Sequence, residues 1–119
     1  AQVLLNEVIT HIYSSNGPMI GASYYYKGRI AEEKNEFVAA SAHYKRALEF
    51  ETDEPFRSEI YRSLGIVYRK MGVYPEAVKM YTKAAEILLE INDLSGLAKV
   101  HNSMGILASS FNDSSKATS

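Results

Sequence analysis

Cysteine is absent from the 119 residues of this chain. Its absence excludes disulfides and thiolate chemistry, and it leaves the redox compartment undetermined. No apolar run approaches the length that spans a bilayer, and no signal-peptide pattern is present. These absences predict a soluble, cytoplasmic chain with no membrane partner.

An excess of charge of one sign is also missing, because the formal net charge is −1. Such a chain has no global field that would attract nucleic acid, an acidic substrate or an anionic membrane surface. The run Tyr24-Tyr25-Tyr26 could stack on bases, but it lacks a basic groove of the density that single strands require. We therefore expect no nucleic-acid partner.

Motifs that carry catalytic or metal chemistry are scarce. His11, His43 and His101 lie on separate predicted helices, and neither an H-E-x-x-H pattern nor a cysteine is available to complete a metal site. Glu32 and Glu33 diverge on a helix, so a solvated face explains this pair of carboxylates. The sequence has no G-x-S-x-G and no phosphate-binding loop. It predicts a protein that is not an enzyme and that uses no metal or cofactor.

Helical periodicity is the strongest positive signal, and it is clearest from Ser58 to Glu90. Two apolar stripes at spacings of three and four are separated by a break at residues 71–75, which predicts a helical hairpin. The stripes are Tyr61, Leu64, Gly65 and Tyr68, then Ala77, Tyr81, Ala84 and Leu88. Glycine inside a helix costs about 1 kcal/mol relative to alanine. We therefore expect Gly65 to permit a close approach of the second helix.

The same markers recur along the chain. Gly28 precedes Gly65 by 37 residues, and Met104-Gly105 repeats Leu64-Gly65 after 40 residues. The offset of 37 also joins three markers of the second helix: Ala40 to Ala77, Tyr44 to Tyr81 and Ala47 to Ala84. A period in this range predicts a solenoid of stacked hairpins.

These patterns predict a single all-α domain of about six helices. The helices are expected near residues 2–14, 19–34, 37–51, 56–71, 74–91 and 96–111. The expected repeats are about 21–57 and 58–97, with a partial repeat at 98–117, an upstream helix at 1–15 and a frayed tail at 114–119. We expect a linker at 92–97 that is three residues longer than its counterpart, and an inter-helix turn after Phe111. Of the three consecutive tyrosines, Tyr24 is expected in the core. A chain that starts at Ala1 rather than at methionine is expected to be an excised or processed piece.

The chain resembles the tetratricopeptide repeat family. The family motif, W-x2-L-G-x2-Y followed by A-x3-F and a later A, is similar to the series Tyr61, Leu64, Gly65, Tyr68, Ala77, Tyr81 and Ala84. The preceding unit departs from the motif at Lys27 and Ala31, and the last unit agrees only at His101, Met104, Gly105 and Ala108. The segment from Asn92 to Ala98 resembles the G-D-x-x-G-x-A joint of the family's longer-period variant. The resemblance implies a right-handed superhelical solenoid of antiparallel hairpins.

The resemblance also implies a concave groove that is lined by the first helix of each repeat. Carried over by position, the groove positions are Ala22, Tyr25, Arg29, Glu32, Glu59, Arg62, Ile66, Arg69, Lys99, Asn102, Ile106 and Ser109. The candidate peptide-binding residues among them are Tyr25, Arg29, Arg62, Ile66, Arg69, Lys99, Asn102 and Ile106. We expect Ile66 and Ile106 to be exposed at equivalent positions, as an interaction patch requires. Ile66 and Ser103 stand where members that clamp a terminal carboxylate carry asparagine, which argues against that ligand.

Two functions stay open. The first is a non-catalytic scaffold that binds an acidic peptide segment of a partner protein in the groove. The second is a structural or self-association module that orients parts of a larger sensor or regulatory protein. Saturable binding of a defined peptide separates the two. Homo-oligomers through the terminal helices are also expected, because unpaired ends expose apolar surface. The residues expected there are Val8, Ile12, Val100, Met104 and Leu107.

Overall fold

The computed structural model describes residues 17–118, with side chains from 19 to 113, and all of its regular elements are α-helices. The helices are α1 (Gly17–Glu33), α2 (Phe37–Phe50), α3 (Glu54–Lys70), α4 (Tyr74–Glu90) and α5 (Leu94–Thr118). The all-α prediction is confirmed. The described part contains five helices rather than six, and the predicted helix near 2–14 lies outside it. Each helix packs on the next in chain order, and α3 also touches α5. The right-handed superhelical path stays a prediction.

Three of the four connections use the same left-handed turn. Asn35, Gly72 and Asn92 follow the ends of α1, α3 and α4 with φ of 61°, 79° and 57°. In each turn the next backbone N–H donates to a carbonyl five residues earlier, at 2.9 Å in all three cases. This is the Schellman arrangement, which satisfies the carbonyls at the end of a helix and stops it. Glycine and asparagine adopt positive φ at little cost, so local sequence chemistry determines these turns.

The connection from α2 to α3 is built differently. Glu51 ends α2 in an extended conformation with φ of −80° and ψ of 130°. Its buried carboxylate accepts hydrogen bonds from the backbone N–H groups of Thr52 and Asp53, both at 3.1 Å. The side chain of Asp53 then accepts the N–H of Phe56 at 3.1 Å and caps α3, whose first turn contains Pro55. The sequence Asp53-Glu54-Pro55 thus fixes the start of α3 by local chemistry.

Two expectations about element lengths are wrong. The linker after α4 is no longer than the others, because the three additional residues extend α4 to 17 residues against the 14 of α2. The turn expected after Phe111 is also absent, since α5 continues through residues 112–118 to Thr118. Asparagine, aspartate and serine are tolerated inside helices although they favour turns, so their cluster did not end α5.

The core is organised by two tyrosines that lie over two glycines. Tyr44 of α2 covers Gly28 of α1, and Tyr81 of α4 covers Gly65 of α3; both tyrosines are completely buried. The alanines that flank them are also completely buried: Ala40, Ala47, Ala77 and Ala84. Small residues at these positions let each pair of helices approach closely. The markers that share the offset of 37 residues therefore form the interior of the first two hairpins, as the sequence predicts.

One tyrosine assignment was wrong. Tyr25, not Tyr24, is the fully buried member of the run, with 5% of its surface exposed. Its ring lies 5.6 Å from that of Tyr44 and 5.2 Å from that of Phe56 on α3. Tyr24 is half-buried and stacks on Phe50 at 5.9 Å. Helix α1 thus packs against both α2 and α3, and the second contact buries Tyr25.

The residues expected to form an apolar end on α5 are mostly covered. Val100 and Leu107 are 1% and 5% exposed and belong to the hydrophobic core. Met104 is half-buried and packs against that core. This face of α5 is covered because it packs against α4. Val8 and Ile12 lie outside the described residues, so self-association through the first helix stays a prediction.

Candidate functional site

The candidate groove residues lie on the helix that begins each repeat. Tyr25 and Arg29 are on α1, Arg62, Ile66 and Arg69 are on α3, and Lys99, Asn102 and Ile106 are on α5. Tyr25 is not available at the surface, because α2 and α3 enclose its ring. The expected pair of exposed isoleucines is also wrong. Ile106 is 45% exposed, whereas Ile66 is half-buried and packs against the core.

Arg62 and Lys99 are brought together at a cavity of about 220 Å³ between the first halves of α3 and α5. The cavity is lined by Pro55, Ser58, Glu59, Arg62, Leu88, Asp93, Ser95, Gly96, Lys99 and Val100. Most of these side chains are polar. The cavity therefore suits a charged or hydrogen-bonding group better than a purely apolar one.

The two carboxylates of this cavity already have partners inside the chain. Glu59 accepts hydrogen bonds from Arg62 at 2.5 and 3.4 Å. Asp93 accepts the backbone N–H of Gly96 at 2.9 Å and so caps α5. Lys99 is exposed, and it forms no ion pair with the described residues. Its ammonium group is therefore available to an anionic ligand.

A second polar feature lies where the first helix of each repeat meets the second. In the first repeat the carboxylate of Glu32 accepts the hydroxyl of Tyr44 at 2.8 Å and the ammonium of Lys70 at 3.0 Å. Burial, and next the hydrogen bond to Glu32, raise the pKa of Tyr44. Every charged member of this cluster has a partner, so the first repeat offers no open binding position here.

At the equivalent position of the second repeat, two buried polar atoms lack hydrogen-bond partners among the described residues. Arg69 and Tyr81 stand 37 residues after Glu32 and Tyr44. The Arg69 Nε and the Tyr81 hydroxyl are both buried and have no hydrogen-bond partner among the described residues. Burial raises the pKa of Tyr81, and the nearby Arg69 guanidinium opposes that rise. A buried donor without an acceptor destabilises the fold by about 1–3 kcal/mol.

Removal of the Tyr44 hydroxyl and removal of the Tyr81 hydroxyl should have different effects on the free energy of unfolding. Tyr44→Phe should lower the free energy of unfolding by about 1–2 kcal/mol, because it breaks a hydrogen bond to a carboxylate. Tyr81→Phe should be neutral or stabilising, because its hydroxyl is buried without a partner. Urea unfolding of both variants provides the comparison. An equal loss of stability in the two would contradict the assigned difference.

The polar environments of Glu32, Tyr81 and Lys70 were not predicted from the sequence. The sequence analysis interpreted Glu32 as half of a solvated carboxylate pair, whereas the structure buries most of that side chain and bonds it to Tyr44. The sequence signal that could have indicated this difference is the 37-residue offset, which makes Glu32 and Arg69 equivalent positions of the two repeats. A change from acid to base at equivalent positions indicates that the two repeats present different charges there.

Other chemistry is not supported by the described residues. They contain no group of three or more histidine and acidic side chains that could hold a metal ion. His43 lies beside the Tyr24 ring at 6.5 Å, His101 is exposed on α5, and His11 lies outside the described residues. Among the described helices, none combines the length and the apolar character that crossing a membrane demands.

Comparison with known proteins agrees with the repeat geometry. A family model described as tetratricopeptide repeat matches residues 56–119. Two curated relatives are the photosystem I assembly proteins Ycf3 of Synechococcus sp. strains CC9902 and CC9605. Each is 32% identical over 63 residues, which cover 53% of this chain and 36% of the relative. This chain therefore matches about a third of the length of those relatives. No solved structure gives a significant match.

Proposed function

Because this chain belongs to the tetratricopeptide repeat family, we propose that it is a non-catalytic scaffold whose groove binds an acidic peptide segment of a partner protein. The family supports a protein-interaction role in general. The acidic peptide and its position in the groove are the proposal. The relatives are named as assembly proteins, and a scaffold that holds other proteins fits such a role.

The observation that carries the proposal is Arg69, which is partly exposed on α3 and forms no ion pair with the described residues. Its Nε is buried and has no hydrogen-bond partner among these residues. The exposed part of its guanidinium can donate charge-assisted hydrogen bonds to a carboxylate, and such bonds are about twice as strong as neutral ones. The exposed Lys99, which lines a cavity together with Arg62, supplies a further cation on α5.

An apolar contact completes the expected recognition. Ile106 is 45% exposed on α5, the helix that carries Lys99. A bound segment with acidic residues and one large apolar residue would use both kinds of contact. The acidic residues would determine orientation and rate of association, and the apolar residue would contribute area removed from water. Arg29 and Asn102 extend this set, whereas the enclosed Tyr25 is excluded from direct contact.

The test uses a displayed library of random peptides selected against the intact 119-residue chain. We expect enrichment of sequences that combine aspartate or glutamate with a large apolar residue. Affinity for a selected peptide, measured by fluorescence anisotropy, should fall by about tenfold or more in Arg69→Glu. The effect should be smaller at high salt, because ions screen exposed charges.

Lys79→Glu is the matched control, since Lys79 is exposed on α4 and lies outside the candidate groove. It makes the same charge reversal and should leave the affinity unchanged. If Arg69→Glu and Lys79→Glu lower the affinity for the peptide equally, the change in net charge explains the effect and the groove proposal is refuted. If no peptide is selected and light scattering shows association that depends on concentration, the structural or self-association module is the better function.

A further inference from the structure

The polar cavity between α3 and α5 is lined by charges of both signs. Arg62 and Lys99 contribute two cations, and Glu59 and Asp93 contribute two carboxylates. These four charges sum to zero, so the cavity as a whole exerts little long-range attraction on an anion. The anionic group that it accepts is then determined by the charges that have no partner inside the chain.

One of the two cations is already occupied. Arg62 donates to the Glu59 carboxylate from Nη2 at 2.5 Å and from Nε at 3.4 Å. Lys99 is exposed, and it forms no ion pair within the described part of the chain. Both carboxylates line the same cavity, yet neither is paired with Lys99. An anionic group that enters the cavity therefore meets Lys99 as the available cation.

The two carboxylates remain close to any group that reaches Lys99. Glu59 and Lys99 occupy equivalent positions of successive repeats, 40 residues apart, on two helices that touch. The Glu59 side chain keeps 35% of its surface exposed beside Arg62. Asp93 caps α5 and so balances the positive end of that helix dipole. An anion at Lys99 is thus attracted by one free ammonium and repelled by two nearby carboxylates.

Size does not distinguish between acidic groups here, because the cavity volume of about 220 Å³ is several times the ~30 Å³ that one water occupies in the liquid. The charges of the acidic groups differ. A side-chain carboxylate carries one negative charge, which Lys99 balances. A phosphoserine carries about 1.5 to 2 negative charges at pH 7. Its additional charge would lie unbalanced beside Glu59 and Asp93 and would have to be desolvated.

We propose that this cavity accepts a side-chain carboxylate of the partner's acidic segment and discriminates against a phosphorylated residue, with Glu59 as the specificity-determining residue. Glu59 acts by occupying Arg62. Without the charge of Glu59, Arg62 and Lys99 would both be free and would match the two charges of a phosphate. This specificity rests on the proposed acidic-peptide function and gives the chemical class of the group that binds at the cavity.

The test begins with the peptide selected against the chain, and its first step identifies the residue that enters the cavity. Each aspartate or glutamate of the peptide is replaced by alanine, and affinities are measured for the original chain and for Lys99→Ala. The acidic residue that contacts Lys99 is the one whose replacement weakens binding to the original chain by about tenfold but has little further effect in Lys99→Ala.

Three forms of the peptide then differ only at that position, which carries glutamate, phosphoserine or O-sulfoserine. The glutamate form should bind the original chain at least about tenfold more tightly than the phosphoserine form in anisotropy titrations. The sulfate ester has the tetrahedral shape of a phosphate but carries a single negative charge. Its affinity should therefore lie within about threefold of that of the glutamate form, which separates charge from shape.

Glu59→Gln keeps the size of the side chain and removes its charge. It should strengthen binding of the phosphoserine form by about tenfold or more and of the glutamate form by less, so that the preference is lost. Glu49→Gln is the matched control, since it breaks the i,i+3 ion pair with Arg46 on α2, away from the cavity. It should leave the preference unchanged. Both variants should melt close to the original chain, because ion pairs at the surface contribute little to stability.

Equal or tighter binding of the phosphoserine form to the original chain refutes the proposal. Weak binding of the O-sulfoserine form also refutes it, since shape would then be the cause, and so does a preference that survives Glu59→Gln. If no acidic residue of the peptide couples to Lys99, the peptide does not use the cavity and the proposal is wrong. The groove proposal would still be supported in that case by a loss of affinity in Arg69→Glu.

If no peptide is selected, the proposed function fails by itself, and small anions still test the cavity. The chain is titrated with acetate and with inorganic phosphate at equal ionic strength, and the amide signal of Gly96, which lines the cavity, is followed in NMR spectra. Acetate should shift this signal at a lower concentration than phosphate, and Glu59→Gln should reverse the order. The opposite order in the original chain would overturn the proposed charge preference.

Discussion

Replacing Gly65 with leucine should lower the free energy of unfolding by about 1–3 kcal/mol, because the crossing of α3 and α4 has no room for a side chain. A Cβ atom at this position would lie 2.6, 2.7 and 3.1 Å from three atoms of the Tyr81 ring. That ring is completely buried, so it cannot move away into solvent. Even Gly65→Ala should destabilise the fold, although alanine favours helix by about 1 kcal/mol.

Gly105→Ala is the matched control. Gly105 follows Met104 as Gly65 follows Leu64, but no atom lies within 4 Å of its Cβ position. The substitution should therefore raise the free energy of unfolding by up to about 1 kcal/mol through helix propensity alone. Chemical unfolding of the two alanine variants gives the comparison. If both shift stability in the same direction, the close crossing at Gly65 is refuted.

Raising the pH above about 10 should unfold the protein steeply through Tyr44 and Tyr81. Burial raises the pKa of both above the usual value of about 10. In the unfolded chain each tyrosine loses its proton near pH 10, whereas in the fold it keeps the proton. The unfolded state then binds fewer protons, so stability decreases as the pH rises, by at most about 1.4 kcal/mol per pH unit for each tyrosine. Their contribution is fully present below pH 10.

Above about pH 10 the losses of stability from the two tyrosines add, and they matter for a small domain whose whole stability is about 5–15 kcal/mol. Urea unfolding at a series of pH values measures the slope, and the double variant Tyr44→Phe with Tyr81→Phe is the control. Tyr44→Phe should reduce the slope more than Tyr81→Phe, because the Arg69 guanidinium favours the ionised form of Tyr81. If the double variant loses stability with pH as steeply as the original chain, ionisation of these tyrosines is not the cause of the loss.

The sequence alone determined the elements and the interior of each hairpin. Four of the described helices begin and end within about two residues of their predicted bounds. Their stops depend on local chemistry, such as the positive φ of Asn35 and Gly72, and local chemistry is readable from sequence. The buried markers were also readable, because small and aromatic residues that recur at one offset must occupy equivalent positions in a repeat.

Only the tertiary structure determined which residues meet between repeats and which buried polar groups have hydrogen-bond partners. Helical spacing places Tyr24 and Tyr25 on neighbouring faces, and the contact of α1 with α3 then encloses Tyr25. Glu32 pairs with Lys70, which is 38 positions away in the chain, whereas the Arg69 Nε and the Tyr81 hydroxyl have no hydrogen-bond partner in the described part of the chain. Such pairs depend on distances between side chains that are far apart in sequence, and no local period encodes them. The exposure of Gly105 likewise became known only from the structure, because the sequence shows a glycine there but not whether another helix covers it.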